Sequence, residues 1–336
     1  MLLVTGAAGH LGNVFIRHLL ERGEQGEQGI RAMILPGEDR SPLAGLDVDI
    51  VEADITRPEM LPAAFGGVTQ VVHLALLVSI GDAQGKRVEH VNVGGTRNIL
   101  DACRAAGVRR RLYVGSVHAF LASGRSLDES APLALNAASA YERTKAAATR
   151  MVLGAASELD VVVVAPSGVF GPFDFKRSEV GTSVRNWVAR PFTVMLPGGY
   201  DFVDVRDVAE GLRLALEKGR RGEVYLLSND WIEMGGMARE VMNRVHGRSR
   251  MLTLPLSVSR KLAQVTLRDS QRRGVRPVLT PYALETMQAT YRVDWSKVRQ
   301  ELGLQELGFK PRPLRQTIHD TVKWWQDNWD AGGERR

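Results

Sequence analysis

Residues 2–12 read Leu2-Leu3-Val4-Thr5-Gly6-Ala7-Ala8-Gly9-His10-Leu11-Gly12, and this stretch decides the fold. A short apolar run enters a turn in which glycine recurs at every third position, and the spacing that follows, Leu11–Arg22, is helical. Glycine in the turn permits backbone angles closed to other residues. The next glycine lets a pyrophosphate approach the N–H groups at the helix start. Many glycine-rich turns between strand and helix are merely tight. The context a dinucleotide fingerprint requires is a strand before and a helix after, and both are present.

Outward from this turn, short apolar runs alternate with helical-period segments. Strands are expected at Leu2–Thr5, Arg31–Leu35, Asp49–Glu52, Gln70–Leu74, Arg111–Val114 and Val161–Ala165. Helices are expected at Leu11–Arg22, Val88–Ala106 and Ala138–Ser157, with a short turn at Met60–Phe65. Parallel neighbours need such crossovers. The pattern predicts an α/β fold, a doubly wound Rossmann-type parallel sheet with a smaller, mostly helical C-terminal substrate lobe. Residues 1–171 form the dinucleotide-binding domain and 172–336 the lobe, with about 199–230 returning to the sheet. The repeat Gly23-Glu24-Gln25-Gly26-Glu27-Gln28-Gly29 reads as a lengthened surface loop. Phe173 to Tyr200 shows no clean period.

Of 336 residues, 44% are hydrophobic and 24% charged, a globular composition. Cys103 stands alone, which excludes an intrachain disulfide and argues against a zinc module, and no metal site is expected. The longest apolar run, Val161–Pro166, is strand-sized, so no membrane partner is expected. With no secretory signal at Met1 the default location is cytoplasmic. The formal charge of +6 is spread over short clusters such as Arg109-Arg110-Arg111 without a nucleic-acid-binding motif, so no nucleic acid is expected either.

The acidic residue that holds an adenosine ribose belongs near the end of the second strand. That end reads Met33-Ile34-Leu35-Pro36-Gly37-Glu38-Asp39-Arg40, and Leu35 carries no charge. NADP(H) and NAD(H) both remain open. Arg31 and Arg40, within reach of a 2′-phosphate, tilt the expectation to NADP(H).

Tyr141-Glu142-Arg143-Thr144-Lys145 sets a phenol and an ammonium four residues apart, on one face of an expected helix. A solvent-facing pair is the bland alternative. Ser116, 25 residues upstream, follows the fifth strand, where an α/β sheet presents its ligand crevice. A nearby cation favours the ionised phenol, which fits Tyr141 for acid–base work near neutral pH. The Ser116 hydroxyl suits a carbonyl oxygen that gains charge.

With these residues the chain resembles the extended short-chain dehydrogenases/reductases of the NAD-dependent epimerase/dehydratase superfamily. Within that group it is similar to the dihydroflavonol-reductase-like and 3β-hydroxysteroid-dehydrogenase-like branch. The resemblance implies that Ser116, Tyr141 and Lys145 are catalytic, and that Tyr141 and Lys145 also touch the cofactor. It implies that Gly6, Ala8, Gly9, His10, Leu11 and Gly12 hold the dinucleotide. In Glu52-Ala53-Asp54-Ile55 it places Asp54 and Ile55 beside the adenine, with Leu35 at the ribose. Leu74, Ala75 and Leu76 would lie along the cofactor, Asn92 would start the family's Asn-bearing helix, and Pro166, Ser167 and Val169 would meet the nicotinamide amide. Three positions depart from the pattern: Ala165 and Leu35 stand where arginine is common, and Gly115 where a second hydroxyl is frequent.

His118, Phe173, Phe175 and Tyr200 are candidate substrate contacts, with packing as the alternative for the aromatic ones. His73 reads as a packed residue, Asp204 and Asp207 as structural, and Trp324, Trp325 and Trp329 as anchors of the last helix. The expected function is an NAD(P)H-dependent reductase or dehydrogenase that interconverts a ketone or aldehyde with an alcohol on an apolar small molecule. A nucleotide-sugar epimerase or dehydratase with retained NAD is the alternative, and a non-catalytic dinucleotide sensor a third. Monomer and homodimer both stay open.

Overall fold

The computed structural model describes residues 1–24, 26, 29–77, 85–122, 124–273, 281–288, 291–304 and 309–329. Residues 25, 27 and 28 of the Gly-Glu-Gln repeat lie outside them. The main sheet is built from β1 (Leu2–Thr5), β2 (Ile30–Ile34), β3 (Asp49–Glu52), β4 (Gln70–His73), β5 (Arg110–Val114), β6 (Val161–Pro166) and β7 (Val224–Leu227). Their spatial order is β3-β2-β1-β4-β5-β6-β7, and every pair is parallel. The helices that matter for the site are α1 (His10–Glu21), α2 (Thr96–Ala105), α3 (Ala140–Gly154) and α4 (Val205–Lys218). The protein is thus an α/β chain with a seven-stranded Rossmann-type sheet.

The strands read as continuous apolar runs because both faces of a parallel sheet are covered. In β6, Val162 and Val164 join the core under α1 and α4, while Val161, Val163 and Ala165 join the core under α3. In β1, Leu2 and Val4 face the first side, and Leu3 packs with Val71, Ile99 and Cys103 on the other. The strand order reverses between β1 and β4. A crevice opens there at the carboxyl ends of the strands, as the doubly wound topology requires.

A third core gathers Phe170, Trp187, Phe202, Met237, Ile318 and Trp325. The stretch expected to return to the main sheet does so only in part. β7 joins it, but Gly199–Asp204 pairs instead with Gly168–Phe170 and Asp230–Glu233 in a small separate sheet. The aperiodic segment after Phe173 contains a helix, Glu179–Ala189, with the Ser178 side chain accepting from Gly181 N–H at 3.0 Å. Trp324 and Trp325 are buried, which anchors Leu314–Asp327. Asp204 caps α4, and Asp207 accepts the Arg312 N–H at 2.7 Å, so both serve the framework. Among the described residues, no helix is long and apolar enough to cross a membrane.

Candidate active site

β1 ends at buried Thr5, and the chain turns at Gly6 with φ +67°, a left-handed value that favours glycine. A Cβ on Gly6 would stand 2.8 Å from Ala75 N, and one on Gly12 only 2.3 Å from Gly6 O. These two glycines therefore let the end of β4, the turn and α1 lie against one another. A Cβ on Gly9 would meet only Gly6 O within 4 Å, so its open side faces the cleft. No side chain caps α1 and no acid occupies its first turn. Its first N–H groups are left for an anion.

The turn forms one end of a cleft of about 640 Å³. Gly6, Gly9, His10, Leu11 and Gly12 line that end; Leu35, Asp54 and Ile55 line one wall, and Leu74, Ala75 and Leu76 another. Ser116, Tyr141, Pro166, Ser167 and Val169 complete it. Ala8 is buried and gives the cleft no side chain. Asp54 accepts from Thr56 N–H and Thr56 hydroxyl at 2.8 Å each, and still borders the cleft. The residues fit a bound dinucleotide: an uncapped helix start at a cradle that only glycine permits, continuous with a mainly apolar trough.

At the other end, Ser116 Oγ accepts from His118 N–H at 3.2 Å, and its side chain stands beside the Tyr141 phenol on the cleft. Tyr141, Thr144 and Lys145 share one face of α3. Lys145 is fully buried, and its ammonium donates to Val114 O at 2.9 Å and lies over the Tyr113 ring. This corrects one expectation. The phenol of Tyr141 is pushed up from its ordinary value by burial, which outweighs the lowering effect of the neighbouring Ser116 hydroxyl. Burial also drives Lys145 down to about 7.

Four substrate contacts were expected; none lines the cleft, but His118 reaches the Tyr141 ring and Tyr200 reaches His118. His118 Nε2 is bonded to the Tyr200 hydroxyl at 2.7 Å, and their rings stack at 5.4 Å. The His118 ring meets the Tyr141 ring edge-on at 6.0 Å. Phe173 and Phe175 do not line the cleft. Phe173 lies under the Arg17 guanidinium beside α1, and Phe175 packs edge-on against Trp324 at 5.2 Å. Their apolar surface finds a better partner in the framework than in solvent-filled space.

The two arginines behind the NADP(H) expectation are also engaged elsewhere. Arg31 donates to Asp49 at 2.7 Å and to the carbonyls of Ala64 and Gly66, and Arg40 pairs with Glu52 at 2.7 Å. Neither lines the cleft. What does so beside Leu35 is Glu38, whose carboxylate accepts from Leu35 N–H at 2.9 Å and pairs with Lys176 from the far side. The sequence shows Glu38 as a nearby loop acid but not that the turn Pro36-Gly37 brings it back onto Leu35. Lys176 has no signal at all, being 138 residues away.

Asn92 stands behind the cleft wall rather than in it. It sits in a π-turn, His90–Gly95, that runs into α2, a feature common near functional sites. Its side chain accepts from Leu77 N–H at 2.8 Å and donates to Leu77 O at 3.0 Å and Thr144 Oγ1 at 3.4 Å. His73 continues the chain of bonds. Thr5 Oγ1 accepts the N–H groups of Leu74 and Ala75, so its proton goes to His73 Nδ1 at 2.7 Å. His73 Nε2 then donates to Thr96 Oγ1, which donates to Asn92 O at 2.6 Å. Burial holds His73 near 3, hence neutral, as this pattern demands. The packed role read for His73 becomes a positioning one: it ties the glycine turn to the helix that carries Tyr141.

The NAD dependent epimerase/dehydratase family matches over residues 2–228. Sterol demethylase protein B of Methylococcus capsulatus is 34% identical over 97% of this chain and 98% of its own. A putative dihydroflavonol 4-reductase of Synechocystis is 30% identical over 97% and 94%. The crystal structure of the protein gox2253 superposes with a TM-score of 0.79 at 30% identity, over 98% of each chain. With the glycine turn, the strand order and these matches in agreement, the chain belongs to the NAD dependent epimerase/dehydratase family, the extended short-chain dehydrogenases/reductases.

Proposed function

We propose that this chain is an NAD(P)-dependent reductase, or dehydrogenase in the reverse direction, that interconverts a ketone or aldehyde and an alcohol on an apolar small molecule. The observation that carries the reading is that Ser116 and Tyr141 stand side by side on the same cleft as the uncapped start of α1. Ser116 holds the substrate oxygen, and Tyr141 delivers the proton to it. At neutral pH the phenol carries its proton, the form a proton donor needs. Lys145, in its charged form, stabilises the phenolate that Tyr141 leaves and holds the nicotinamide ribose. The bound nicotinamide supplies the hydride. Gly6–Gly12 take the pyrophosphate, Asp54 and Ile55 the adenine side, and Pro166, Ser167 and Val169 the carboxamide.

For the cofactor we favour NAD(H). Glu38 holds the place where a ribose hydroxyl needs an acceptor, and a 2′-phosphate would set negative charge against it. On the substrate side His118 and Tyr200 offer a polar edge beside Tyr141. The similarity to a sterol demethylase protein supports a lipophilic, sterol-like alcohol or ketone. The test is consumption of NADH and of NADPH against a series of lipophilic ketones and aldehydes, wild type beside Tyr141→Phe. The variant is expected to lose about 10²–10⁴-fold in turnover while it still binds cofactor. Equal turnover by both proteins, or none by either with every compound, removes the reading.

A further inference from the structure

The helix Leu256–Arg273 carries an aliphatic stripe on the side that faces away from the core. Its inner face carries two small, fully buried residues, Ser259 and Ala263, with Leu256, Thr266 and Leu267 partly buried beside them. Its outer face carries Val258, Leu262 and Val265, at the i, i+4, i+7 spacing of a single stripe, with Val265 60% exposed. A helix whose partner is water and whose own core lies beneath does the reverse. Just upstream the same happens on a strand pair. Phe192–Met195 and Arg250–Thr253 run parallel with Val194 opposite Leu252, and Phe192, Val194 and Leu252 are all about half exposed. Only Leu254 and Pro255 separate the strand from the helix.

The charge around these side chains is as unusual. Residues 248–273 hold seven Lys and Arg against the single acid Asp269, a net +6 that equals the formal charge of the whole chain. The rest of the chain is therefore neutral in sum. Lys261, Arg268 and Arg272 are exposed and border the aliphatic stripe along one flank at helical spacing. An apolar stripe edged by cations fits a layer that is apolar inside and anionic at its rim. A second copy of this chain fits poorly, because a two-fold contact would set the same positive surface against itself.

We propose that Leu256–Arg273 and the strand pair Phe192–Met195/Arg250–Thr253 dock the protein on an anionic phospholipid surface. Val258, Leu262 and Val265 enter the acyl boundary, and Lys261, Arg268 and Arg272 meet the lipid phosphates. The absence of a spanning run, from which no membrane partner was expected, bears on insertion and not on such docking. The place is apt for a lipophilic substrate: Gly199–Asp204, which carries Tyr200, starts four residues beyond Phe192–Met195.

The test is co-sedimentation of the full chain with phosphatidylcholine vesicles, pure or mixed in equal parts with phosphatidylglycerol. Three variants of matched folding, checked by thermal unfolding and NADH binding, go beside it: Val258→Ser/Leu262→Ser/Val265→Ser, Lys261→Glu/Arg268→Glu, and a distant control, Arg57→Glu. Wild type and control should bind the mixed vesicles about tenfold or more above the pure ones, less so in high salt. Either patch variant should lose that gain, and the charge-reversed one serves where the serine variant misfolds. Wild type left in the supernatant, equal binding to both vesicles, or patch variants that bind like wild type overturn the proposal. So does a serine variant that turns a dimer into a monomer in light scattering. Because binding needs no turnover, its failure and that of the proposed activity are told apart.

Discussion

Gly12→Ala is the sharpest perturbation of the cofactor end. The added methyl would stand 2.3 Å from Gly6 O and 2.9 Å from both Ala7 Cα and Ala7 O, all backbone atoms. An ordinary contact is about 3.5 Å, so α1 must retreat from the turn by about 1 Å. It has little room to do so. Phe15, Ile16 and Leu19 are buried in the core shared with α4, and Asn13 donates to Gly9 O at 2.8 Å and Phe173 O at 3.1 Å. The overpacking should cost about 1–3 kcal/mol in stability. If the helix start holds the pyrophosphate, an ångström of misplacement should also weaken dinucleotide binding about 10²-fold. Gly115→Ala is the matched control. It lies in the same cleft, but its methyl would meet side-chain atoms at ordinary distances, Thr149 Oγ1 at 3.4 Å, Val163 Cγ1 at 3.5 Å and Tyr113 Cε1 at 3.7 Å. Thermal unfolding and titration of NADH fluorescence read both effects. A Gly12→Ala protein that is less stable yet binds NADH as wild type does would show that the pyrophosphate lies elsewhere. One unchanged in both would refute the geometry of the turn.

Three further outcomes follow from the site. Glu38→Leu should shift preference from NADH towards NADPH about tenfold, since it removes the acid and frees Lys176 for a phosphate; an unchanged ratio of Kd values would exclude Glu38 from the choice. Lys145 has a folded pKa lowered to about 7, so the folded state binds fewer protons than the unfolded one between about pH 7 and 10 and gains stability as pH rises through that window. Lys145→Met should therefore raise the melting temperature most at pH 7 and below, with the gain shrinking towards pH 10, and a gain independent of pH would contradict the burial argument. Finally, a reductase releases its oxidised cofactor, so purified protein should carry far less than stoichiometric dinucleotide and consume one equivalent of NADH per product. Stoichiometric bound NAD with sugar-nucleotide interconversion would favour an epimerase instead.

Much of the fold was legible because its signals are local. The glycine turn, the apolar runs of the buried strands and the four-residue step from Tyr141 to Lys145 are each written within a few residues. The missed helix Glu179–Ala189 had such a signal too, in Ser178 at its cap, but aromatic residues that serve the third core hid its period. Gly199–Asp204 was misplaced for a different reason. Its alternation suits any sheet, and which sheet it joins depends on Gly168–Phe170 and Asp230–Glu233, far off in sequence.

The cleft itself shows where local reading stops. Spacing puts Lys145 on the face of Tyr141 but cannot say where its ammonium points, and here that is the carbonyl of Val114. The sign of the shift on Tyr141 then follows from burial and not from the helix step. Arg31 and Arg40 fail in the same way: the sequence supplies the cations, and Asp49 and Glu52 of the neighbouring strand decide that they turn aside. Glu38–Lys176, His118–Tyr200, Thr5–His73 and His73–Thr96 all join residues more than 20 apart, and Thr96 carries the last of these on to Asn92 in one run. That last run predicts a behaviour that no single motif contains. His73→Leu would leave the Thr5 hydroxyl proton without its acceptor and Thr96 Oγ1 without its donor, costing about 1–3 kcal/mol. It would also loosen the link from the glycine turn to α3, so that KM for NADH should rise together with a fall in kcat. A stability loss with both kinetic constants unchanged would reduce His73 to packing and break the tie between the two ends of the site.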